Sequence, residues 1–427
     1  MRALLLGSGG RESALASGLA RSRTVDELVV APGNPGIGAF AELADVDLSD
    51  VDAVVDLVAR VDARVVVVGP EAPLVAGAGD VLRAAGRLVF GPDRAAAAIE
   101  GSKAHARTLM DDAGIPSARW ARFTDADPAI EFMNTLGPPY VIKADGLAAG
   151  KGVVVTEDRD AAVAAVRERV IEGKFGDAGR SIVIEEFLDG QEASLIAFSD
   201  GRAVVACEPA QDYKRVYDDD AGPNTGGMGS YSPVPACPPE LADEIVATVI
   251  EPMIRATAER GAPFVGALYA GLALTSRGPR VVEFNARFGD PETQALIPRL
   301  ESDLGEVCLA TASGELEGMK LQWSRMACVS VVLASRGYPS AHDTGYPISG
   351  LDDAARIEGV EIFHAGTKRS GNEIVTAGGR VLAVSALGET YGTARARAYD
   401  AAELITFDNK HLRTDIAARA QRVEEAT

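Results

Sequence analysis

The stretch Val281-Val282-Glu283-Phe284-Asn285-Ala286-Arg287 sets a carboxylate, a carboxamide and a guanidinium at alternate positions. A strand has period two, so the spacing predicts Val282, Phe284 and Ala286 on a core face and Glu283, Asn285 and Arg287 together on the other. Glu283 and Asn285 are two hard oxygen donors side by side, the kind of pair that Mg²⁺ takes while sharing nucleotide phosphates. Gly289-Asp290-Pro291 then turns the chain. Taken alone, the row reads as the solvated face of an edge strand. Other motifs change that reading.

Tyr140–Lys143 and Val153–Thr156 read as strands around Ala144-Asp145-Gly146-Leu147-Ala148-Ala149-Gly150-Lys151-Gly152. No Ser or Thr follows Lys151 and the loop enters a strand, so this is not a Walker loop. A small-residue tip with Lys143 and Lys151 suits a hairpin that closes over a triphosphate. Ile184-Glu185-Glu186-Phe187-Leu188 follows, with Glu192 just beyond. By itself it is ordinary strand-plus-turn sequence. Between a phosphate hairpin and an Mg²⁺ strand it becomes a candidate adenine hinge, with a carboxylate for ribose hydroxyls.

Asp212-Tyr213-Lys214-Arg215 and Asn224-Thr225-Gly226-Gly227-Met228-Gly229 lie in a stretch whose glycines would let backbone N–H groups approach an anion, with Lys214 and Arg215 supplying charge. Asp218-Asp219-Asp220 reads as a solvated turn, because three adjacent acids rarely converge on one ion. Near the start, Gly7-Ser8-Gly9-Gly10-Arg11-Glu12 joins a strand to a helix. Glu12 stands where a dinucleotide fingerprint needs its third glycine, and the second strand ends without a ribose-binding acid, so a redox cofactor is disfavoured. A sugar phosphate at the helix N-terminus fits better, and a turn that needs glycine only for its shape fits as well.

The elements that would position these residues can be read from the pattern. Ala3–Leu6, Leu28–Val30, Val65–Val68 and Leu88–Phe90 are predicted strands, alternating with helical segments such as Glu12–Arg21, Val51–Arg60 and Ala72–Ala85. That alternation predicts a parallel sheet covered on both faces, with ligands at the carboxyl ends of its strands. Further on, Ser102–Ala113, Asp158–Glu172 and Pro239–Arg260 are predicted helices, Ile182–Phe187 and Leu268–Leu274 strands, and Ala221–Pro239 a long loop. A β-rich section opens at Cys328–Ala334, and Thr390–Ile405 is the last predicted helix.

The chain has 427 residues, enough for about three domains. Sixty-two acidic against 42 basic residues give a net charge of -20, which argues against nucleic acid as a partner. Mean hydropathy is +0.06, and no apolar run approaches a membrane span. The N-terminal apolar run is too short for a secretory signal. Cys207, Cys237, Cys308 and Cys328 are scattered, as are His105, His342, His364 and His411, which disfavours disulfides and zinc and fits a cytoplasmic protein.

Together and in this order, GSGGRE, APGNPG, GPEAPLVAG, KADGLAAGKGV, EEFLDGQEAS, AQDYKR, GPNTGGMGSYSP and EFNARFGDPETQ resemble the ATP-grasp ligases, and within them the phosphoribosylamine–glycine ligases of purine biosynthesis. The resemblance implies an α/β and α+β multidomain fold. Its parts would be a Rossmann-like domain over 1–101, an ATP-grasp domain over 102–325 with a mobile lid near 118–190, and a small β-rich domain over 326–427. It implies ligation of glycine to 5-phosphoribosylamine with ATP and Mg²⁺ or Mn²⁺, through glycyl phosphate, by a monomer or weak homodimer. Another ATP-grasp ligase or carboxylase acting on a ribonucleotide is the alternative, and a nucleotide sensor or redox protein lies further off.

Carried onto this chain, the resemblance puts ATP on Lys103, Lys143, Lys151, Glu185, Glu186, Phe187, Leu188, Glu192, Lys214, Arg215 and Asn224. The metal falls to Glu283 and Asn285. Substrates fall to Gly9, Gly10, Arg11, Asn34, Glu71, Thr225, Gly226, Gly227, Met228, Gly229, Arg287, Pro291 and Glu292. Arg287, Lys151 and Asp290 are the catalytic candidates. The chain departs from the family pattern at Ser13, where His is usual, and at Asp218–Asp220, where a glycine usually separates two acids. Leu268–Leu272 lacks the metal-binding acid of many ATP-grasp enzymes.

Overall fold

The computed structural model describes residues 1–147, 152–172 and 181–426. Its first section is a five-stranded parallel sheet in the order Glu42–Leu43, Glu27–Pro32, Arg2–Gly7, Val65–Val68, Leu88–Phe90. The central strands are apolar without interruption because helices cover both faces. The strand order reverses at Arg2–Gly7, so a crevice opens beyond the carboxyl ends of that strand and Val65–Val68. The helices Gly10–Ala20 and Glu71–Ala76 start there. The predicted single helix over Ala72–Ala85 is two, Glu71–Ala76 and Ala78–Ala84, broken by Gly77 at φ +98°.

Two antiparallel sheets follow. The smaller runs Trp120–Phe123, Ile182–Glu185, Tyr140–Ala144, Val153–Thr156, and the larger runs Val204–Ala206, Gln191–Asp200, Val265–Thr275, Gly278–Asn285. The predicted strand Ile182–Phe187 ends at Glu185. The helix predicted over Pro239–Arg260 forms, with a π-type segment Val246–Ile250 between Pro239–Ile245 and Glu251–Glu259.

Two expectations fail here. The stretch predicted as a long loop contains strands Ala221–Asn224 and Gly229–Ser232. Gly229–Ser232 is fully buried, pairing with Ala327–Ser335 on one side and Gln211–Asp212 on the other. Glycine and proline density hid it, because its strand character comes from distant partners rather than from local propensity. Those strands join Arg380–Gly388 and Val360–His364 in one sheet, with Lys410–His411 pairing to Ala327–Ser335. The helix expected to be the last, observed at Tyr391–Leu404, is followed by Ala418–Glu425.

The polar row is also shifted from strict alternation. Gly271 pairs with Glu283 and Leu272 with Val281, leaving Val282 as a bulge. Val281, Phe284 and Ala286 are buried, and Val282 is not a core residue as its spacing predicted. A bulge inserts one residue and re-aims its neighbours. Glu283, Asn285 and Arg287 still reach one cavity.

Candidate active site

A cavity of about 380 Å³ lies between the two antiparallel sheets and the crevice of the parallel one. Ser102 caps the helix Lys103–Ala113 by accepting from His105 N, and that helix aims Arg107 into the cavity wall. Arg107 grips Glu185 with Nε at 2.8 Å and Nη2 at 2.7 Å, and Lys143 Nζ lies 2.7 Å from the same carboxylate. Both cations also donate to the bulge. Lys143 and Arg107 reach the Val282 carbonyl at 3.1 and 2.9 Å, and Arg107 reaches that of Val281 at 3.0 Å. Against a burial that would raise it, Arg107 and Lys143 pull the Glu185 carboxyl down to about 2. Burial lowers the Lys143 ammonium, opposed by Glu185. Glu185 is therefore held inside the cavity wall by two cations.

The polar row forms the floor. Burial would raise the Glu283 carboxyl, but Lys214, Lys143 and Lys103 hold it below the usual range. Lys214 Nζ sits 2.6 Å from Glu192 and 4.0 Å from Glu283. With its nitrogen facing the nearby acceptors, the Asn285 amide donates to Glu100 Oε1 at 3.1 Å and its oxygen lies on the opposite side. An ionised carboxylate and a neighbouring free amide oxygen suit Mg²⁺ or Mn²⁺ when phosphate oxygens complete the shell. No group of three or more His, Cys, Asp or Glu side chains forms a metal site by itself among the described residues.

Arg287 ends the row. It lies 2.9 Å from Glu100 and 3.3 Å from Glu71, and donates to the Phe288 carbonyl at 3.0 Å. Glu100 also accepts Ala286 N at 2.7 Å, and burial raises its carboxyl despite Arg287. Arg11 comes from the parallel sheet's rim, pairing with Glu12 at 2.5 Å and lying 3.8 Å from Glu71. Burial would raise the Glu71 carboxyl, but Arg287 and Arg11 lower it.

The glycine loop differs from the open anion cradle that its composition suggests. Its N–H groups are already bonded: Thr225 N to Lys214 O, Gly226 N to Tyr338 Oη, Gly227 N to Thr225 Oγ1 and Met228 N to Tyr213 O. Gly227 has φ +107° and lies against Pro291, where an added Cβ would overlap the proline ring. Met228 is core, and Gly229 belongs to a strand. Arg380 clamps this loop to the next turn, donating to Gly226 O at 2.6 Å and Asp290 O at 2.9 Å while pairing with the Asp290 carboxylate at 3.0 Å. Glu292 accepts from Ser194 Oγ at 2.9 Å and Tyr269 Oη at 3.0 Å.

Of the sequence candidates, the cavity gathers Arg11, Glu71, Lys103, Lys143, Glu185, Lys214, Thr225, Gly226, Glu283, Asn285, Arg287, Asp290 and Glu292. Glu186, Phe187, Leu188 and Glu192 lie outside its lining, as do Arg215, Asn224, Gly227, Met228, Gly229 and Pro291. Glu186 pairs with Arg277 at 3.1 Å, and Arg215 donates to Gly222 O at 2.7 Å. Gly9 N is held by Glu12, and Gly10 opens the first helix. Asn34 spends its amide on Ser8 O, Ser13 Oγ and His364 O and its oxygen on Gly36 N and Ile37 N, so it shapes the rim from within. Lys151 lies outside the described residues.

The acidic turn is docked rather than free. Asp218 accepts from Thr414 N at 2.8 Å, Asp219 N donates to Asp415 and Asp220 pairs with Arg413 at 2.9 Å. Sequence reasoning missed Glu100, Arg107, Tyr269, Tyr338 and Arg380 as cavity residues. Nothing in the sequence around Arg380 pointed at Asp290.

Three family profiles together span most of the chain. They are the phosphoribosylglycinamide synthetase N domain over residues 1–100, its ATP-grasp (A) domain over 101–293 and its C domain over 328–419. The chain belongs to the phosphoribosylglycinamide synthetase family. Members of that family with similar sequences are the phosphoribosylamine–glycine ligases of Rhizobium meliloti and Streptomyces coelicolor, each 50% identical. The first match covers 100% of both chains, and the second 98% of this chain and 99% of the relative. The crystal structure of phosphoribosylamine–glycine ligase from Thermotoga maritima superposes with a TM-score of 0.85 at 33% identity, covering 98% of this chain and 100% of that one. The biotin carboxylase domain of Hydrogenobacter thermophilus 2-oxoglutarate carboxylase, in a complex with MgADP and bicarbonate, shares the fold at a TM-score of 0.72 and 15% identity, covering 96% and 91% of the two chains. The phosphoribosylglycinamide synthetase family thus carries the ATP-grasp architecture seen here, flanked by the parallel sheet and the carboxyl-terminal sheet.

Proposed function

We propose that this cavity joins glycine to 5-phosphoribosylamine, with ATP split to ADP and phosphate and glycyl phosphate as the intermediate. The observation that carries the assignment is the single cavity in which Lys103, Lys143 and Lys214 surround the Glu283–Asn285 floor while Arg287 and Arg11 face it from the parallel-sheet side. Phosphoryl transfer of this type needs positioning and charge neutralisation more than a protein nucleophile. A carboxylate oxygen of glycine attacks the γ-phosphorus and ADP leaves. The amine nitrogen of phosphoribosylamine then attacks the acyl carbon, phosphate leaves, and the nitrogen gives up a proton as the amide forms.

Lys103, Lys143 and Lys214 balance triphosphate charge in this reading, joined by Lys151, and the strand end at Glu186–Leu188 borders the adenine. Glu283 and Asn285 would hold Mg²⁺ or Mn²⁺, which supplies Lewis-acid neutralisation of phosphate oxygens when bound. Arg287 orients the glycine carboxylate, with Gly226 and Asp290 beside it. The Arg11 and Glu71 end takes the ribose phosphate, within a rim braced by Asn34. The walls must exclude water, because water would hydrolyse an acyl phosphate.

The reading includes a cytoplasmic enzyme, supported by four free, buried cysteines, and a monomer or weak homodimer. It keeps domain divisions near residues 101 and 325. No helix among the described residues is long and apolar enough to cross a membrane. The test is ADP release with phosphoribosylamine generated in situ. ADP release that depends on glycine and yields an amide supports the reading. Release driven by bicarbonate instead of glycine, or no release at all, refutes it.

A further inference from the structure

The clamp on Gly226 comes from the carboxyl-terminal section, far from the residues it holds. Arg380 starts the strand Arg380–Gly388, and its guanidinium spans two backbone carbonyls and one carboxylate on two separate turns. Nη1 donates to Gly226 O at 2.6 Å and Asp290 O at 2.9 Å, and Nη2 to Asp290 Oδ2 at 3.0 Å. A planar fork with fixed donor directions sets the spacing between its acceptors in a way that a flexible ammonium does not. Tyr338 fixes the other side of the same residue by accepting from Gly226 N at 2.8 Å. Gly226 therefore has both its N–H and its carbonyl held by carboxyl-terminal side chains. Gln294 holds the second Asp290 oxygen at 2.7 Å.

Arg380, Tyr338, Gly226 and Asp290 all line the cavity. Arg287 is a charge neighbour of Arg380, and Arg11 and Arg287 are charge neighbours of Asp290. Burial would raise the Asp290 carboxyl, and Arg380 with Arg11 lowers it, so the pair is a fixed ionic link. Resting on the function proposed above, we infer that Arg380 and Tyr338 are positioning residues for the second half-reaction. They set the wall against which the amine must approach the acyl phosphate. Their own hydrogen bonds run to Gly226 and Asp290 rather than to Lys103, Lys143 or Lys214.

An acyl phosphate held against a loosened wall has a competing fate. Water attacks the acyl carbon, phosphate leaves and glycine is regenerated, so ATP is consumed without an amide. The measurable quantity is therefore the ratio of ADP released to amide formed. In Arg380→Met the ratio should rise several-fold, with amide formation falling by about 10- to 100-fold, the scale expected for a misplaced reacting group. The KM for ATP should stay at the parent value. Arg380→Lys keeps the charge but not the fork and should lie between the two. Tyr338→Phe deletes one hydroxyl, so it should fold as the parent does and raise the ratio in the same direction.

The assay measures ADP, amide and melting temperature for parent and variants with saturating glycine and amine. Raised ratios with an unchanged KM for ATP support the inference. A ratio that stays at the parent value in both Arg380→Met and Tyr338→Phe overturns it, whether or not the rates fall. If Arg380→Met unfolds, Tyr338→Phe decides alone. A parent enzyme without glycine-dependent ADP release would refute the function reading, and this inference with it, before any variant is compared.

Discussion

Arg107 and Glu185, 78 residues apart, form a two-point ion pair inside the cavity wall, with Lys143 sharing the carboxylate. Two cations and one acid are buried together, and each depends on the others for compensation. Breaking such a set by removing one partner usually costs about 3–5 kcal/mol, since it strands a buried charge. Glu185→Gln should therefore lower stability by that order in chemical denaturation, and a variant as stable as the parent would contradict the geometry.

The same pair sets an acid limit. The Glu185 carboxyl is pulled from its ordinary 4.5 to about 2 in the fold. A depressed carboxylate contributes stability that is fully present above its unfolded value and lost as pH falls through the folded one. Stability should thus decline between about pH 4.5 and 2, by roughly 3 kcal/mol from this group. Urea midpoints measured across that window should show a shallower slope in Glu185→Gln.

Glu283→Gln keeps the shape of the floor and removes its charge. The amide formation rate should fall by about 100-fold or more, as for loss of a group that stabilises transferring charge. Half-saturating Mg²⁺ should rise. Unchanged Mg²⁺ dependence in a titration of ADP release would remove Glu283 from the metal assignment.

Gly227 has φ +107° and lies on the Pro291 ring. Gly227→Ala combines backbone strain of about 1–3 kcal/mol with a steric overlap. The expected outcome is a drop in melting temperature together with loss of amide formation, because the loop and the Asp290 turn must separate. A melting temperature equal to the parent's would show that the contact yields.

Arg413 is fully buried and holds Asp220, Asp415 and the Arg215 carbonyl, with its guanidinium 4.8 Å from the Tyr213 ring centre. Arg413→Met should free the acidic turn and destabilise the protein by roughly 1.5–3 kcal/mol, the scale of hydrogen bonds to charged groups, since the carboxylate of Asp220 is itself largely exposed. Amide exchange should quicken across 213–224 before it does in the parallel sheet. Equal protection in variant and parent would show that the turn is held by other contacts.

Much of the fold was legible because it is locally encoded. Val65–Val68 could only be a strand covered on both faces, and the alternation through Glu283, Asn285 and Arg287 put those three on a common cavity. The bulge at Val282 was not legible, since it depends on how Gly271 and Leu272 meet the strand. Glu100 and Arg107 sit on helices, where nothing in the helical pattern distinguishes an acid or base turned inward from one in solvent. Their partners, Arg287 and Glu185, are 187 and 78 residues away. Arg380 was hidden for the same reason. The glycine loop misled in the opposite sense. Its composition promised open backbone donors, and Lys214, Tyr338, Thr225 and Tyr213 have used them.

Gly229–Ser232 lies between Gln211–Asp212 and Ala327–Ser335 in one sheet. The middle of the chain therefore supplies an edge strand and an interior strand to a sheet that its last hundred residues complete. A two-piece version cut near residue 325 would leave Gly229–Ser232 bare along one side and Ala327–Ser335 bare along its matching side. Unpaired strand edges recruit other chains. The carboxyl-terminal section is therefore woven in rather than appended. Gene fission or module swapping at that point would yield fragments that must find each other to stay soluble.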